Sequence, residues 1–181
     1  MHRRQESLIF WDAYRSMKRL LLIFALFSLI SCIKDKESGV ELVPGDRIPE
    51  FSVTMNDGTE VDGTMLSEGI SCIVFFTTQC SDCRKTLPEL QKFYDEYASG
   101  GVRFALISRE DPYDSVSAYW SENALTMPYS AQSDRKIYEL FAKTRVPRVY
   151  FVKEGVIMKI FTDSPAPVYD DLVQALDELK R

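Results

Sequence analysis

Histidine and cysteine are scarce in this sequence. One histidine, His2, and four cysteines occur among 181 residues. Histidine-based catalysis is therefore excluded from all but the first residues, and a metal site built from Cys and His has too few ligands. The formal net charge is only −5, with basic residues spread along the chain, which excludes a nucleic-acid groove. We expect no metal, no cofactor and no nucleic-acid partner.

The chain also lacks an apolar run long enough for a comfortable transmembrane helix. The apolar stretch of residues 20–30 follows Lys18 and Arg19 and ends just before Ser31 and Cys32. A basic start followed by an apolar stretch of this length is typical of a secretory signal. Its end, Leu-Ile-Ser-Cys, is similar to a bacterial lipobox, in which the cysteine is lipidated.

These features divide the chain into four segments. We expect residues 1–16 to be an upstream extension from a misplaced start, 17–31 a lipoprotein signal peptide, 32–45 a lipid-anchored linker, and 46–181 the folded domain. On this interpretation Cys32 carries the lipid and the domain faces an oxidising environment outside the cytoplasm. The alternative is an uncleaved anchor helix with an incidental cysteine.

What remains has the composition and periodicity of a mixed α/β domain. The apolar fraction is 45% and the aromatic fraction 12%, which argues against disorder. Alternating apolar and polar residues, separated by turn-forming residues, predict an N-terminal β-hairpin and several strands. Apolar residues at helical spacing predict four helices. The predicted strands are 49–61 (a hairpin), 70–78, 102–108, 129–132, 149–152 and 156–161, and the predicted helices are 81–97, 115–123, 134–144 and 168–179. This order implies a mixed central sheet with helices on both faces.

Cys80 and Cys83 lie at the junction between a predicted buried strand and a predicted helix. The first turn of a helix has free backbone N–H groups that stabilise a thiolate, so Cys80 is suited to attack and Cys83, further into the helix, to resolve. A zinc site would need two more ligands, and a structural disulfide across so short a loop would add little stability. Both remain alternatives to a redox pair.

Two prolines add to this pattern. Pro147 follows Val146 just before a predicted strand, and is either an ordinary trans proline that ends a helix or a cis proline beside the sulfurs. Pro88 lies inside the predicted helix 81–97, where proline should produce a kink.

The combination of strand, Cys-x-x-Cys, Arg84, in-helix Pro88 and a distant Val-Pro resembles the thioredoxin superfamily, specifically its membrane-tethered TlpA/ResA-like branch. The similarity covers residues 44–181. It implies a thioredoxin-like fold with a central insertion around residues 111–135. It also implies that Val146 and Pro147 form a cis-proline loop that docks the substrate opposite the cysteines.

The sequence departs from this family at several positions near the cysteines. Gln79 replaces the usual Trp, and neither Val74 nor Thr86 supplies the acid that family members use beside the second sulfur. Ser81 and Asp82 separate the cysteines, and the charge of Asp82 should oppose a thiolate on Cys80.

The resemblance implies a thiol–disulfide oxidoreductase of the cell envelope, acting as a reductase of disulfide-containing envelope proteins such as apocytochrome c. Its electrons would come from a membrane thiol reductant. Because Ile33 rather than an acidic residue follows Cys32, we favour the outer membrane over the inner. One alternative is a peroxiredoxin-like thiol peroxidase, since Thr77 and Cys80 form T-x-x-C, although Ile73 replaces the expected proline. The other is a non-catalytic thioredoxin-like binding module.

Overall fold

A computed structural model describes residues 40–181. The predictions for residues 1–39, which include the upstream extension, the signal peptide and the lipidated Cys32, lie outside this part. Within it, no helix combines the length and apolar character needed to cross a membrane.

Seven strands and five helices follow one another in the described residues. The strands are β1 (Ser52–Thr54), β2 (Glu60–Asp62), β3 (Ile70–Phe76), β4 (Arg103–Ser108), β5 (Tyr129–Ser130), β6 (Arg148–Lys153) and β7 (Val156–Phe161). The helices are α1 (Gly63–Leu66), α2 (Ser81–Tyr97), α3 (Tyr113–Glu122), α4 (Lys136–Glu139) and α5 (Tyr169–Lys180).

The main sheet has five strands in the order β5-β4-β3-β6-β7. β3 lies at its centre, parallel to β4 and antiparallel to β6, so the sheet is mixed as predicted. β1 and β2 form a separate antiparallel hairpin, also as predicted. Because β3 is paired on both sides and covered on both faces, its apolar sequence is what a central strand requires.

Side chains of β3 alternate between the two faces and show which elements cover each. Phe76 packs on Trp120 of α3, with ring centroids 5.0 Å apart. Its neighbour Phe75 packs instead on Tyr138 of α4 at 5.5 Å and on Phe141 at 4.9 Å. Helices therefore lie on both faces, which confirms the predicted fold class.

The helix predicted over residues 134–144 is much shorter in the structure. α4 makes a single turn that begins after Arg135, and the Asp134 carboxylate accepts the backbone N–H of Lys136. Leu140 is exposed, whereas Tyr138 is buried.

The helix ends early because residues N-terminal to the predicted domain boundary form hydrogen bonds with this segment. The N–H groups of Val40 and Leu42 donate to the carbonyls of Glu139 and Phe141, at 3.1 and 2.9 Å. Those carbonyls are thereby engaged outside a helix. The folded unit thus begins before residue 46, and residues 40–45 of the predicted linker belong to it.

Arg148 strengthens this attachment from inside the sheet. It is only 5% exposed, and its guanidinium donates twice to the carbonyl of Thr144 and pairs with Glu41 at 2.5 Å. A buried guanidinium requires partners of this kind, because an unpaired buried charge is costly.

A short helix that no periodicity predicts, α1, follows the hairpin. Asp62 caps it by accepting the N–H of Met65 at 2.7 Å. Gly63 is required at its start, because a Cβ there would lie 2.7 Å from the carbonyl oxygen of Pro49.

Candidate functional site

The two cysteines lie where β3 leads into α2. Cys80 is the N-cap of α2 with extended backbone angles, and its Sγ accepts the N–H of Cys83 at 3.4 Å. A sulfur in this position faces the free N–H groups of the first helical turn, which stabilise a thiolate. Both cysteines are free thiols in this structure.

The two sulfurs differ in access. Cys80 is half-buried, whereas Cys83 is fully buried, one turn into the helix. Burial raises the pKa of the Cys83 thiol, while the Thr77 backbone acts in the opposite direction. In this arrangement a substrate disulfide can reach the sulfur of Cys80 first, and the sulfur of Cys83 can then resolve the mixed disulfide.

The predicted proline loop lies against Cys80. The Cys80 thiol donates to the carbonyl oxygen of Val146 at 3.3 Å, and the peptide bond between Val146 and Pro147 is cis. Both residues are buried. The structure therefore brings together the cysteine pair and the Val-Pro dipeptide, which lie far apart in the sequence.

A groove of about 510 Å³ opens beside Cys80. Its lining residues come from the end of β3, from the loop after β4 and from the loop before β6: Thr77, Gln79, Cys80, Arg109, Glu110, Asp111, Arg145 and Val146. Gln79 is exposed at its edge, where the family pattern has Trp. The groove adjoins the half-buried sulfur and is large enough for an extended segment of another chain.

Other predicted near-site residues lie on the first turns of α2. Arg84 donates to the carbonyl of Thr78 at 2.6 Å, and its guanidinium lies 5.7 Å from the ring centre of Tyr119. Asp82 pairs with Lys85 at 2.8 Å. Arg84 thus fixes the turn before Cys80, while the charge of Asp82 is balanced by a neighbouring lysine.

Ser81 and Pro88 are exposed residues of α2. Pro88 lies within the helix and lacks an N–H, so the helical bond to the carbonyl four residues earlier is lost. Neither contacts the sulfurs through a hydrogen bond in the described part of the chain.

One residue of the site was not expected from the sequence. Asp111, in the loop after β4, is 6% exposed, and its carboxylate accepts the Thr77 hydroxyl at 2.7 Å and the Thr78 N–H at 2.6 Å. The only sequence signal was an acidic residue a few positions after a buried strand parallel to β3. The carboxyl ends of parallel strands meet at one edge of a sheet, which brings such a residue to the cysteines.

A family model described as AhpC/TSA family matches residues 44–160. The chain belongs to the AhpC/TSA family.

Two relatives found by sequence comparison are both named thiol-disulfide oxidoreductases. The thiol-disulfide oxidoreductase ResA of Oceanobacillus iheyensis is 27% identical over 145 residues, which cover 77% of this chain and 74% of that protein. The sporulation thiol-disulfide oxidoreductase A of Bacillus subtilis is 27% identical over 143 residues, covering 76% and 84%. These relatives confirm the prediction of a ResA-like thiol–disulfide oxidoreductase at the level of class.

Comparison of structures gives the same fold. A thiol:disulfide interchange protein of the thioredoxin family from Chlorobium tepidum superposes with a TM-score of 0.65. The match covers 77% of this chain and 99% of that one, at 18% identity. At this identity the likeness confirms the thioredoxin-like fold and nothing finer.

Proposed function

We propose that this protein exchanges disulfides through Cys80 and Cys83, as a reductase of disulfide-containing proteins in the cell envelope. The observation that carries the proposal is the pairing of a half-buried Cys80 at a helix N-terminus with a fully buried Cys83 whose N–H it accepts. One sulfur is placed to attack and the other to resolve.

The exchange proceeds in two steps. Cys80, as a thiolate, attacks a sulfur of the substrate disulfide and forms a mixed disulfide while one substrate thiolate leaves. Cys83 then attacks Cys80, and the second substrate thiolate leaves with its electron pair. The substrate is reduced, the pair is oxidised, and a thiol reductant must restore it.

The groove and the proline loop support the docking of a substrate beside Cys80. The carbonyl of Val146 lies 3.3 Å from the Cys80 sulfur, at one side of the 510 Å³ groove. A substrate chain laid in this groove would bring its disulfide to the accessible sulfur, with Val146 and Pro147 beside it.

The contacts of Thr77 do not support the peroxidase alternative. The hydroxyl of Thr77, the threonine of the T-x-x-C pattern, donates to the Asp111 carboxylate at 2.7 Å and not to the Cys80 sulfur. The binding-module alternative predicts a cysteine pair that does not exchange, and the experiment below tests it.

The proposed location in the cell envelope rests on the N-terminal part of the sequence. The signal-like residues 17–31, with Cys32 behind them, support a lipid-anchored protein that faces the periplasm or the cell exterior. Fatty-acid labelling in cells should be lost in Cys32→Ala. Label that persists in this variant would contradict lipidation at Cys32.

The reduction potential of the Cys80–Cys83 pair tests the function. The purified protein is equilibrated in defined thiol buffers, and alkylated cysteines are counted by mass. A value near that of thioredoxin, about −270 mV, supports a reductase, and one near that of DsbA, about −120 mV, identifies an oxidant instead. If no reversible disulfide forms, or if Cys80→Ser still reduces a model disulfide, the proposed exchange is wrong.

A further inference from the structure

Cys83 must lose a proton before it can attack. It is fully buried, and burial holds the pKa of its thiol above the usual range. The charge of a Cys80 thiolate and that of Asp111 raise this pKa further. At neutral pH the Cys83 thiol therefore keeps its proton, and only the thiolate attacks a disulfide.

Several ionisable groups face the two sulfurs or line the adjoining groove. They are Cys80 of α2, Arg109, Glu110 and Asp111 of the loop after β4, Arg145 of the loop before β6, and Tyr119 of α3 with Arg84 over its ring. Arginines cannot accept a proton at neutral pH, and burial raises the pKa of Tyr119, so it stays protonated. In the mixed disulfide Cys80 is bonded to the substrate.

Two carboxylates remain, and they differ in position. Glu110 is 38% exposed at its side chain and pairs with Arg109. Asp111 is buried and accepts the hydroxyl of Thr77, three residues before Cys80, and it lies near enough to Cys83 for its charge to act on that thiol. It also lines the groove beside Cys80, which is large enough to hold water.

We propose that Asp111 accepts the proton of Cys83 when the mixed disulfide is resolved. In this step a bond forms between the sulfurs of Cys83 and Cys80, and the bond from Cys80 to the substrate sulfur breaks. The electron pair leaves with the substrate thiolate. The proton passes to Asp111, directly or through one water, and then to the departing thiolate or to solvent. The proposal rests on the exchange proposed above and assigns a residue for its second step.

A purely electrostatic role makes the opposite prediction. The Asp111 charge raises the pKa of Cys83. If that were its whole effect, removing the charge would favour the Cys83 thiolate and speed resolution. Only a proton acceptor makes resolution slower when it is lost, so the sign of the change separates the two roles.

The test follows both steps in one reaction. The reduced full-length protein is mixed with a chromogenic aromatic disulfide, which releases one coloured thiolate when Cys80 attacks and a second when Cys83 resolves. Asp111→Asn keeps the size of the side chain. Its amide can still accept from Thr78 and donate to the Thr77 hydroxyl, so the loop geometry is retained. Asp114→Asn, an exposed carboxylate in the first turn of α3, is the matched control.

In Asp111→Asn we expect the second release to slow about a hundredfold at pH 7, the lower end of what a positioned acid or base contributes. The first release should change less than about threefold. The slowed rate should rise steadily with pH, because hydroxide then takes the proton, while Asp114→Asn should match the unmodified protein. If Asp111→Asn does not fold, Asp111→Ser, which leaves room for water, should show the same pattern.

Three results would overturn the proposal: a faster second release, an unchanged second release with an unchanged pH profile, or equal slowing of both releases. Equal slowing would mean that Asp111 acts only on the geometry of the loop. If instead the unmodified protein gives no second release, the proposed exchange fails and not the assignment of Asp111.

Discussion

Cys72 and Cys83 are both fully buried free thiols, and burial raises the pKa of each, yet their surroundings differ. Cys72 lies in β3, in register with Phe104 and Phe151, and burial is the sole cause of its shift. Cys83 lies in the first turn of α2, where the Thr77 backbone, Cys80 and Asp111 also act on the pKa of its thiol.

The comparison shows that burial by itself makes a thiol inert rather than reactive. The β3 interior supplies an apolar environment with nothing to react with, so Cys72 acts as a small hydrophobic side chain. At the strand–helix junction Cys83 is equally buried, but a second sulfur and a carboxylate lie near it. We therefore attribute reactivity at Cys83 to its neighbours, and each prediction below changes one side of this comparison.

The largest effect should come from removing each thiol in turn. Cys83→Ser should abolish the second thiolate release and leave a stable mixed disulfide on Cys80, because the one other cysteine of residues 40–181, Cys72, is buried within β3. Cys72→Ala should keep both releases. Mass spectrometry of the reaction products distinguishes the two variants. Loss of resolution in a folded Cys72→Ala protein would show that the third cysteine takes part in exchange.

A second prediction concerns the hydrogen bond between Thr77 and Asp111 at the strand–helix junction. Thr77→Val removes the hydroxyl that donates to the buried Asp111 carboxylate, and should lower the free energy of unfolding by about 2 kcal/mol, as expected for a bond to a charged group. Thr54→Val is the control, since Thr54 donates to Glu60 at 2.6 Å on the exposed hairpin. Its loss should cost less than about 1 kcal/mol. If urea unfolding shows the same loss of stability in both variants, burial does not strengthen the hydrogen bond between Thr77 and Asp111.

The two buried thiols should also make stability fall at alkaline pH. Each holds its proton in the folded state to higher pH than in the unfolded chain, where the thiol pKa is about 8.5. Above that pH the folded state binds more protons, so the free energy of unfolding falls as pH rises. The limiting slope is about 1.4 kcal/mol per pH unit for each thiol.

Cys72→Ala isolates one of these contributions. Urea unfolding of the reduced protein between about pH 9 and 10 should show a smaller slope in the variant, by up to the contribution of one thiol. Other titrating groups are common to both proteins and cancel in the difference. Identical slopes would mean that Cys72 is not protonated in the folded state as its burial requires.

Patterns within short stretches of the sequence predicted the central elements of this fold correctly. The apolar run of β3 and the periodicity of α2 predicted a buried strand and an amphipathic helix, and in the structure Leu87, Leu90 and Phe93 form the buried side of that helix. These elements also place Cys80 and Cys83 together at the junction of β3 and α2, as the sequence predicted.

Long-range contacts explain where the sequence was misleading. α4 ends early because the N–H groups of Val40 and Leu42 bind carbonyls of that region, and no local pattern reveals such a partner. Asp111 is similar: it lies in the loop after the neighbouring strand β4, and only the tertiary fold brings its carboxylate to Thr77 and Thr78. Thr86 is buried, and its hydroxyl has no hydrogen-bond partner among residues 40–181.

The smallest effect should come from Asp82, the exposed counterpart of Asp111 beside the cysteines. Its charge lies between them in the sequence, but Lys85 pairs with it at 2.8 Å and solvent screens both. Asp82→Asn should therefore change either thiolate release by less than about threefold, within the range of an exposed ion pair. Lys85→Gln, which leaves the charge of Asp82 unbalanced, should slow the first release more than Asp82→Asn alters it. A tenfold effect of Asp82→Asn would show that exposed charge, rather than the buried carboxylate, governs the chemistry of the pair.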